Sequence, residues 1–416
     1  MIRNTLGALL FAALLCCSCA RLAYVDKQNG YDQIKRPHIR VLVYDGSAPI
    51  RLDADEGYVL RAWLDSGDKP TYYSASELEV TAKNGKLILY DTRGNLLERD
   101  LLKATLFPSK RGQRMWIDGK RFRGNFEVYP EGGKDFYVVN VINVEDYLRG
   151  VLQPEIGKRT KKEFEAVKVQ AVAARTYALA TKDKYPDKQY DLINDIRDQV
   201  YSGIKGETKA TDKAIAETHG EVMMYGGEII EAYYHSTCAG RTENIAEVWN
   251  REPLPYLRSV SDLDYCKWSK FYDWNEVFGA AELLDHIRTY LTDRGQDASV
   301  VGSELHDLKI TSHTTAGRAK VVQLTTEQGT LNLYKDQIRW AFGRSRATGI
   351  LRSTNFRLNL EHGANGNISK VHVSGYGYGH GLGLCQCGAI GMARAGYDHE
   401  YILTHYYAGA HLEKLY

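Results

Sequence analysis

FEAVKVQAVAARTYALATK, residues 164–182, decides the class of the fold. Phe164, Val167, Ala171, Ala174 and Ala178 recur at helical spacing, and the alanines favour helix while leaving room for a close neighbour. The stretch predicts an internal helix. Towards the N-terminus the pattern is different. IRVLVY, YVLRAWL, LEVTA, KLILY, FRGNFEVYP and FYVVNVINV are short β-branched and aromatic runs separated by turn signals such as DG, NG, RGN and EGG. This β reading extends from His38 to about Tyr147, so VLQPEIGKRT (151–160) reads as the end of a β-like run ahead of the helix.

Beyond the helix, ATDKAIAETHG predicts a short helix, followed by two strands hinged at Gly226 and Gly227. Residues 276–293 predict another helix, and the next segment returns to strands with a hairpin at Ala316 and Gly317. A short helix is expected over 399–407. The expected fold is therefore α+β. A leader (1–19) and a tether (20–37) precede a β-rich part (38–145). A mixed α/β core (146–416) follows, with an insertion around 276–350 and a glycine-rich strand edge near its end.

At 416 residues, with 44% hydrophobic and 25% charged positions, the chain has ordinary globular composition and a multidomain length. Its formal net charge of +2 falls to +1 once Arg3 is removed with the leader, which leaves no basic footprint for nucleic acid. Tyrosine outnumbers phenylalanine 29 to 10, which suits a half-wet groove such as a sugar site. MIRNTLGALLFAALLCCSCA has a basic start, an apolar run too short for a membrane span and a small-residue exit, so it reads as a secretory signal. Its cysteines resemble a lipoprotein cleavage box. Cys19 is the expected lipidation site and Cys17 the second choice. The mature chain is then expected to be an exported, membrane-anchored lipoprotein facing the periplasm; the alternative is ordinary cleavage after Ala20, which gives a secreted soluble chain.

Glu155 lies behind Pro154 and ahead of the helix that carries Lys168 and Arg175, which are seven residues apart on one face. A carboxylate near two cations is either an ion cluster or a prepared catalytic site. His235 heads HSTCAGRT and has the chemistry of a base, a ligand or a turn residue. With Cys238 or Ser236 it would make a nucleophilic hydrolase only if an acid or amide oriented it. Cys238, Cys266, Cys385 and Cys387 permit three complete disulfide pairings, with a zinc site as the rival. In GYGYGHGLGLCQCGAIG (375–391) glycine alternates with larger residues. If extended, the stretch is a binding edge or a tightly packed internal strand that presents His380 and Gln386.

Five ordered segments together resemble the SpoIID/LytB domain: EDYLRGVLQPEI with EAVKVQAVAARTYAL, DQVYSG, EIIEAYYHSTCAGRTENIAEVWN, PYLRSV, and GYGHGLGLCQCGAIGMARAGYDHEYILTHYY. The resemblance implies a peptidoglycan lytic transglycosylase with Glu155 as its acid/base. It implies glycan contacts from Lys168, Gln170, Arg175, Tyr177, His235, Ser236, Thr237, Tyr378, His380 and Gln386. It also implies a structural zinc held by His235, Cys238 and Cys266, with no cofactor needed for the chemistry. The alternative it carries is a non-enzymatic, glycan-binding enhancer of a cell-wall amidase. Cys387 stands where the family often has an aromatic, so a sugar-stacking contact is expected to be missing.

Overall fold

The computed structural model describes residues 37–64, 71–110 and 112–416; the leader, Cys17, Cys19 and nearly all of the tether fall outside them. The fold is α+β. Nine strands come first: β1 (His38–Gly46), β2 (Ile50–Leu64), β3 (Thr71–Lys83), β4 (Lys86–Tyr90), β5 (Leu96–Pro108), β6 (Met115–Ile117), β7 (Lys120–Phe122), β8 (Asn125–Gly132) and β9 (Asp135–Asn143). Helices α1 (Val144–Ile156) and α2 (Phe164–Ala180) follow, then the short strand β10 (Leu192–Ile193). These strands form one sheet in the order β10-β1-β9-β8-β5-β4-β3-β2-β6-β7.

Alternate strand residues such as Ile39, Val41, Leu87, Leu89 and Val138 join Tyr147, Val151, Val167 and Ala171 of α1 and α2 in one buried cluster. Sheet and helices thus share a core across residue 146. β10 is tied to β1 in parallel, and the Arg40 guanidinium donates to Asp191 at 2.7 Å.

The β reading up to Tyr147 and through 151–160 is overturned: residues 144–156 are helical. Asn143 caps the helix by accepting from the Asp146 N–H at 3.0 Å. Val144, Tyr147, Leu148, Val151 and Leu152 then follow helical spacing and are all buried. Pro154 sits in the last turn, where its missing N–H leaves the Gly150 carbonyl without its helical donor. The Ser202 N–H supplies that bond at 3.0 Å. Gly150 is required by this approach, because a Cβ there would lie 2.5 Å from the Tyr201 ring.

Next come α3 (Lys209–Glu217), β11 (Glu221–Tyr225), β12 (Glu228–Ile229), β13 (Tyr234–His235) and α4 (Ile245–Val248). β11 and β12 pair around Gly226 and Gly227 as expected. An inserted lobe is built from β14 (Asp273–Gly279), α5 (Ala280–Thr292), β15 (Leu305–His313), β16 (Ala319–Thr326), β17 (Gly329–Tyr334), α6 (Gln337–Phe342), β18 (Phe356–His362) and β19 (Ile368–Tyr376). It has its own core running from Trp274 to Val373. The helix expected over 276–293 begins only at Ala280. Its first residues finish β14, where Trp274, Glu276 and Phe278 alternate inward. The hairpin at Ala316 and Gly317 joins β15 to β16.

The chain closes with β20 (Leu384–Cys385), α7 (Gln386–Arg394), α8 (His399–Tyr406) and β21 (His411–Lys414), which pairs with β11. The extended glycine-rich edge is corrected in two ways. β19 stops at Tyr376, and Gly377, Gly379, Gly381 and Gly383 all have positive φ, so 377–383 is a folded loop. It packs directly on the segment around His235: a Cβ on Gly377 would lie 2.5 Å from the Thr237 carbonyl, and one on Gly383 2.2 Å from that of Tyr233. The stretch after it, QCGAIGMAR, is the helix α7, which the glycines hide from a propensity reading. Among the described residues no helix is long and apolar enough to cross a membrane.

Candidate active site

Glu155 occupies the last turn of α1, and the half-buried residue sends its carboxyl into protein. The Val200 N–H donates to its Oε1 at 2.7 Å. The Tyr234 hydroxyl and the Gln386 side chain also reach the carboxyl. Burial pushes its pKa up to about 7, against these three hydrogen bonds, which favour the charged form. Gln386 opens α7 and bonds the Glu155 carbonyl at 3.2 Å and the Gln170 Oε1 at 3.1 Å. The loop packing that folds the glycines therefore delivers Gln386 to Glu155.

A relay orients Tyr234. The Tyr147 hydroxyl donates to Gln199 Oε1 at 3.0 Å, and Gln199 Nε2 donates to the Tyr234 hydroxyl at 3.0 Å. Tyr234 is thereby left with its own proton to give to Glu155. His380 is bonded to the Tyr234 backbone. Its Nε2 donates to the Tyr234 carbonyl at 3.0 Å and its Nδ1 accepts from the Leu382 N–H at 3.0 Å, so it is held neutral; burial brings its pKa down to about 4. The His235 ring is 5.5 Å from that of His380, and Trp249 and Tyr233 close the aromatic wall around His380. His235 Nδ1 donates to the Leu382 carbonyl at 3.1 Å, and its buried Nε2 has no partner among the described residues. Burial keeps it well below the usual histidine range.

Glu155, Gln170 and Gln386 are thus brought together, with His380 beside them through Tyr234. Lys168 and Arg175 do not join them. Arg175 is fully buried and bonded through two nitrogens to Glu145, each at 2.8 Å, so it is committed to the core. Lys168 pairs with Glu165 at 2.9 Å and Glu217 at 3.0 Å. The Tyr177 hydroxyl donates to Asp198, and Thr237 is buried against Ser269. Ser236 and Tyr378 are half-buried. Tyr378 exchanges backbone bonds with Thr237 and packs on Phe271.

A hydrolase built on His235 finds no support, because neither ring nitrogen is bonded to Ser236 or Cys238. Of the three expected zinc ligands the structure brings two together and leaves one out. Cys238 and Cys266 gather with Cys385 and Asp262, and His235 is outside that cluster. Cys387 has an exposed neighbour in Trp268, whose indole N–H donates to the Cys387 carbonyl at 3.1 Å. Sequence reasoning missed Tyr234, Gln199 and Tyr147. All three lie inside the ordered segments that carry the resemblance, EDYLRGVLQPEI, DQVYSG and EIIEAYYHST, but neither those segments nor the excess of tyrosine says which of their polar residues turn towards Glu155.

Residues 132–225, which include Glu155, match the family model described as SpoIID, stage II sporulation protein. Residues 264–383 match a domain of unknown function, DUF8618. Stage II sporulation protein D of Bacillus subtilis is 30% identical over 292 residues, covering 66% of this chain and 76% of that protein. An uncharacterised protein of Brachyspira hyodysenteriae is 27% identical over 375 residues, covering 89% of this chain and 91% of that protein. The amidase enhancer of Bacillus subtilis is 30% identical over 302 residues, and there the match spans only 40% of that protein.

Proposed function

The chain belongs to the SpoIID family, and from that premise we propose that it is a peptidoglycan lytic transglycosylase with Glu155 as its single acid/base. A cell-wall function follows from the family. The observation that carries the finer reading is the environment of Glu155: a carboxyl pushed up to about 7, bonded by a backbone amide, a side-chain amide and a phenol, with no second carboxylate among these partners. Hydrolytic glycosidases use two carboxyl groups. A single group suffices when the nucleophile belongs to the substrate.

Protonated Glu155 donates to the glycosidic oxygen as the C1–O bond of N-acetylmuramic acid breaks. The C6 hydroxyl of the same sugar then attacks C1, and the Glu155 carboxylate takes that hydroxyl's proton. No water is consumed, and the product carries a 1,6-anhydro end. Tyr234 and Gln386 support the carboxylate stage, and Gln170 holds Gln386 in place. We place the reaction in the periplasm on a lipid-anchored chain, on the strength of the leader and Cys19.

This role sets a pH dependence. Cleavage is expected to fall as pH rises through about 7 and Glu155 loses its proton. Tyr234→Phe removes a donor that favours the charged form, so the falling limb should move to higher pH. A limb that stays in place would detach Tyr234 from Glu155. The direct test of the reading is incubation of peptide-stripped glycan strands with the chain and with Glu155→Gln, followed by mass spectrometry of the ends. The likeness to the amidase enhancer supports a second reading, a non-cleaving glycan binder that stimulates an amidase. That reading expects binding without new ends.

A further inference from the structure

Three cysteines and an aspartate meet beneath the start of α7. Cys238 lies in the turn after β13, Asp262 and Cys266 lie on the segment before β14, and Cys385 ends β20. All four are buried, and one ligand atom from each lies within 4.8 Å of every other. We propose that Cys238, Asp262, Cys266 and Cys385 form a closed structural site for a thiolate-preferring divalent metal of the zinc class.

The geometry fits that ion. Four ligands around zinc, with Zn–S bonds of about 2.3 Å, set the sulfurs about 3.8 Å apart. The Cys238 and Cys266 sulfurs are 3.7 Å apart. A disulfide, the rival for thiols in an exported chain, joins two sulfurs and would leave the third thiol and a buried carboxyl unused. The metal engages all four.

The surroundings are those of charged ligands. Cys385 Sγ accepts from the Cys238 N–H at 3.2 Å and the Gly388 N–H at 3.3 Å. Asp262 accepts from the Cys266 N–H at 2.7 Å and from the Tyr406 hydroxyl. Such outer bonds aim and stabilise metal ligands. Gly388 must lack a side chain here, since a Cβ would lie 2.0 Å from Asp262 Oδ1. Fully buried Arg318 donates to the Cys238 carbonyl at 3.0 Å and places a cation beside the thiolates. Binding releases the thiol protons to solvent.

The site also has a positioning consequence, because Cys385 directly precedes Gln386. Fixing its sulfur fixes the first residue of α7 against Glu155. The metal stands outside the glycan chemistry and holds whether or not Glu155 cleaves glycan.

The test is cobalt(II) titration of the full chain, reduced and stripped of metal, with Cys16, Cys17 and Cys19 replaced by serine so that only the four described thiols remain. One cobalt per chain is expected, with the intense sulfur-to-metal and tetrahedral bands of a thiolate site, displaced by one equivalent of zinc. Cys385→Ser and the shape-conserving Asp262→Asn should each weaken zinc binding by at least about tenfold. The near-UV circular dichroism of Asp262→Asn should stay native, and Cys387→Ser should bind as the parent does. Failure of the reduced chain to take up cobalt, or bands of an oxygen-only octahedral ion, would overturn the proposal. So would unchanged affinity in both Cys385→Ser and Asp262→Asn.

Discussion

Glu155→Gln should lose glycan cleavage by about three orders of magnitude, in line with the 10²–10⁴ that a positioned acid/base contributes. Glutamine keeps the shape and can still accept from Val200 N–H, so the loss reports the proton and leaves the fold in place. The same variant should be more stable than the parent at high pH. Below the ordinary value of 4.5 the carboxyl is protonated whether the chain is folded or unfolded, and no penalty exists. Between 4.5 and about 7 the unfolded chain ionises while the folded one does not, and the penalty grows to its full size above that window. A shift of this size corresponds to at most about 3 kcal/mol, reduced because the residue is only half-buried. Urea unfolding at pH 4 and pH 8 should show the two proteins converging at pH 4, with the variant ahead at pH 8. A catalytically dead variant with no gain at pH 8 would mean that burial does not raise the carboxyl.

The second large effect belongs to Arg175. Its guanidinium is fully buried against Glu145, which Tyr416 also contacts, and its remaining nitrogen donates to the Glu221 carbonyl at 3.1 Å. Burial opposes ionisation of Glu145, but the bonds from Arg175 prevail and hold it below the usual carboxylate range. Arg175→Met leaves that carboxylate buried without its partner and should cost about 3–5 kcal/mol. Adding Glu145→Leu to make the pair apolar should restore much of the loss, because a buried pair is costly to break but not to replace. The check is the urea midpoint of the two single variants and the double. A double variant as unstable as the sum would show that the two side chains act independently. The stabilisation from this pair is present above the ordinary carboxylate range and is lost as pH falls through the depressed value of Glu145.

The internal helix at 164–180, the hairpin on Gly226 and Gly227 and the α+β class were legible because periodicity and turn chemistry agree there. The helix that carries Glu155 was not. Val144, Tyr147, Leu148, Val151 and Leu152 have the spacing, but a valine-rich strand runs straight into them, and Gly150 and Pro154 argue against helix. Tertiary structure answers both: Tyr201 packs where a side chain would stand, and Ser202 takes the bond that Pro154 frees. At the site, Glu155, Gln170 and Gln386 were found through motif order. Lys168 and Arg175 share a helix face with a spacing that fits an ion cluster equally well, and acids claim both: buried Glu145 takes Arg175, and the more exposed Glu165 and Glu217 take Lys168. Nothing in a cysteine count distinguishes His235 from Asp262 as the companion of the thiols. Asp262 is placed there by its own backbone bond to the Gly240 carbonyl and by the Cys266 N–H and the Tyr406 hydroxyl, which donate to its carboxylate.

The central claim is a one-carboxyl reaction that spends no water. The measurement that tests it most directly is the mass of the new ends released by the chain from peptide-stripped glycan. Ends lighter by one water than the hydrolysed sugar, present with the parent and absent with Glu155→Gln, are the expected result. Hydrolysed reducing ends, or no new ends from stripped or native strands, would contradict it.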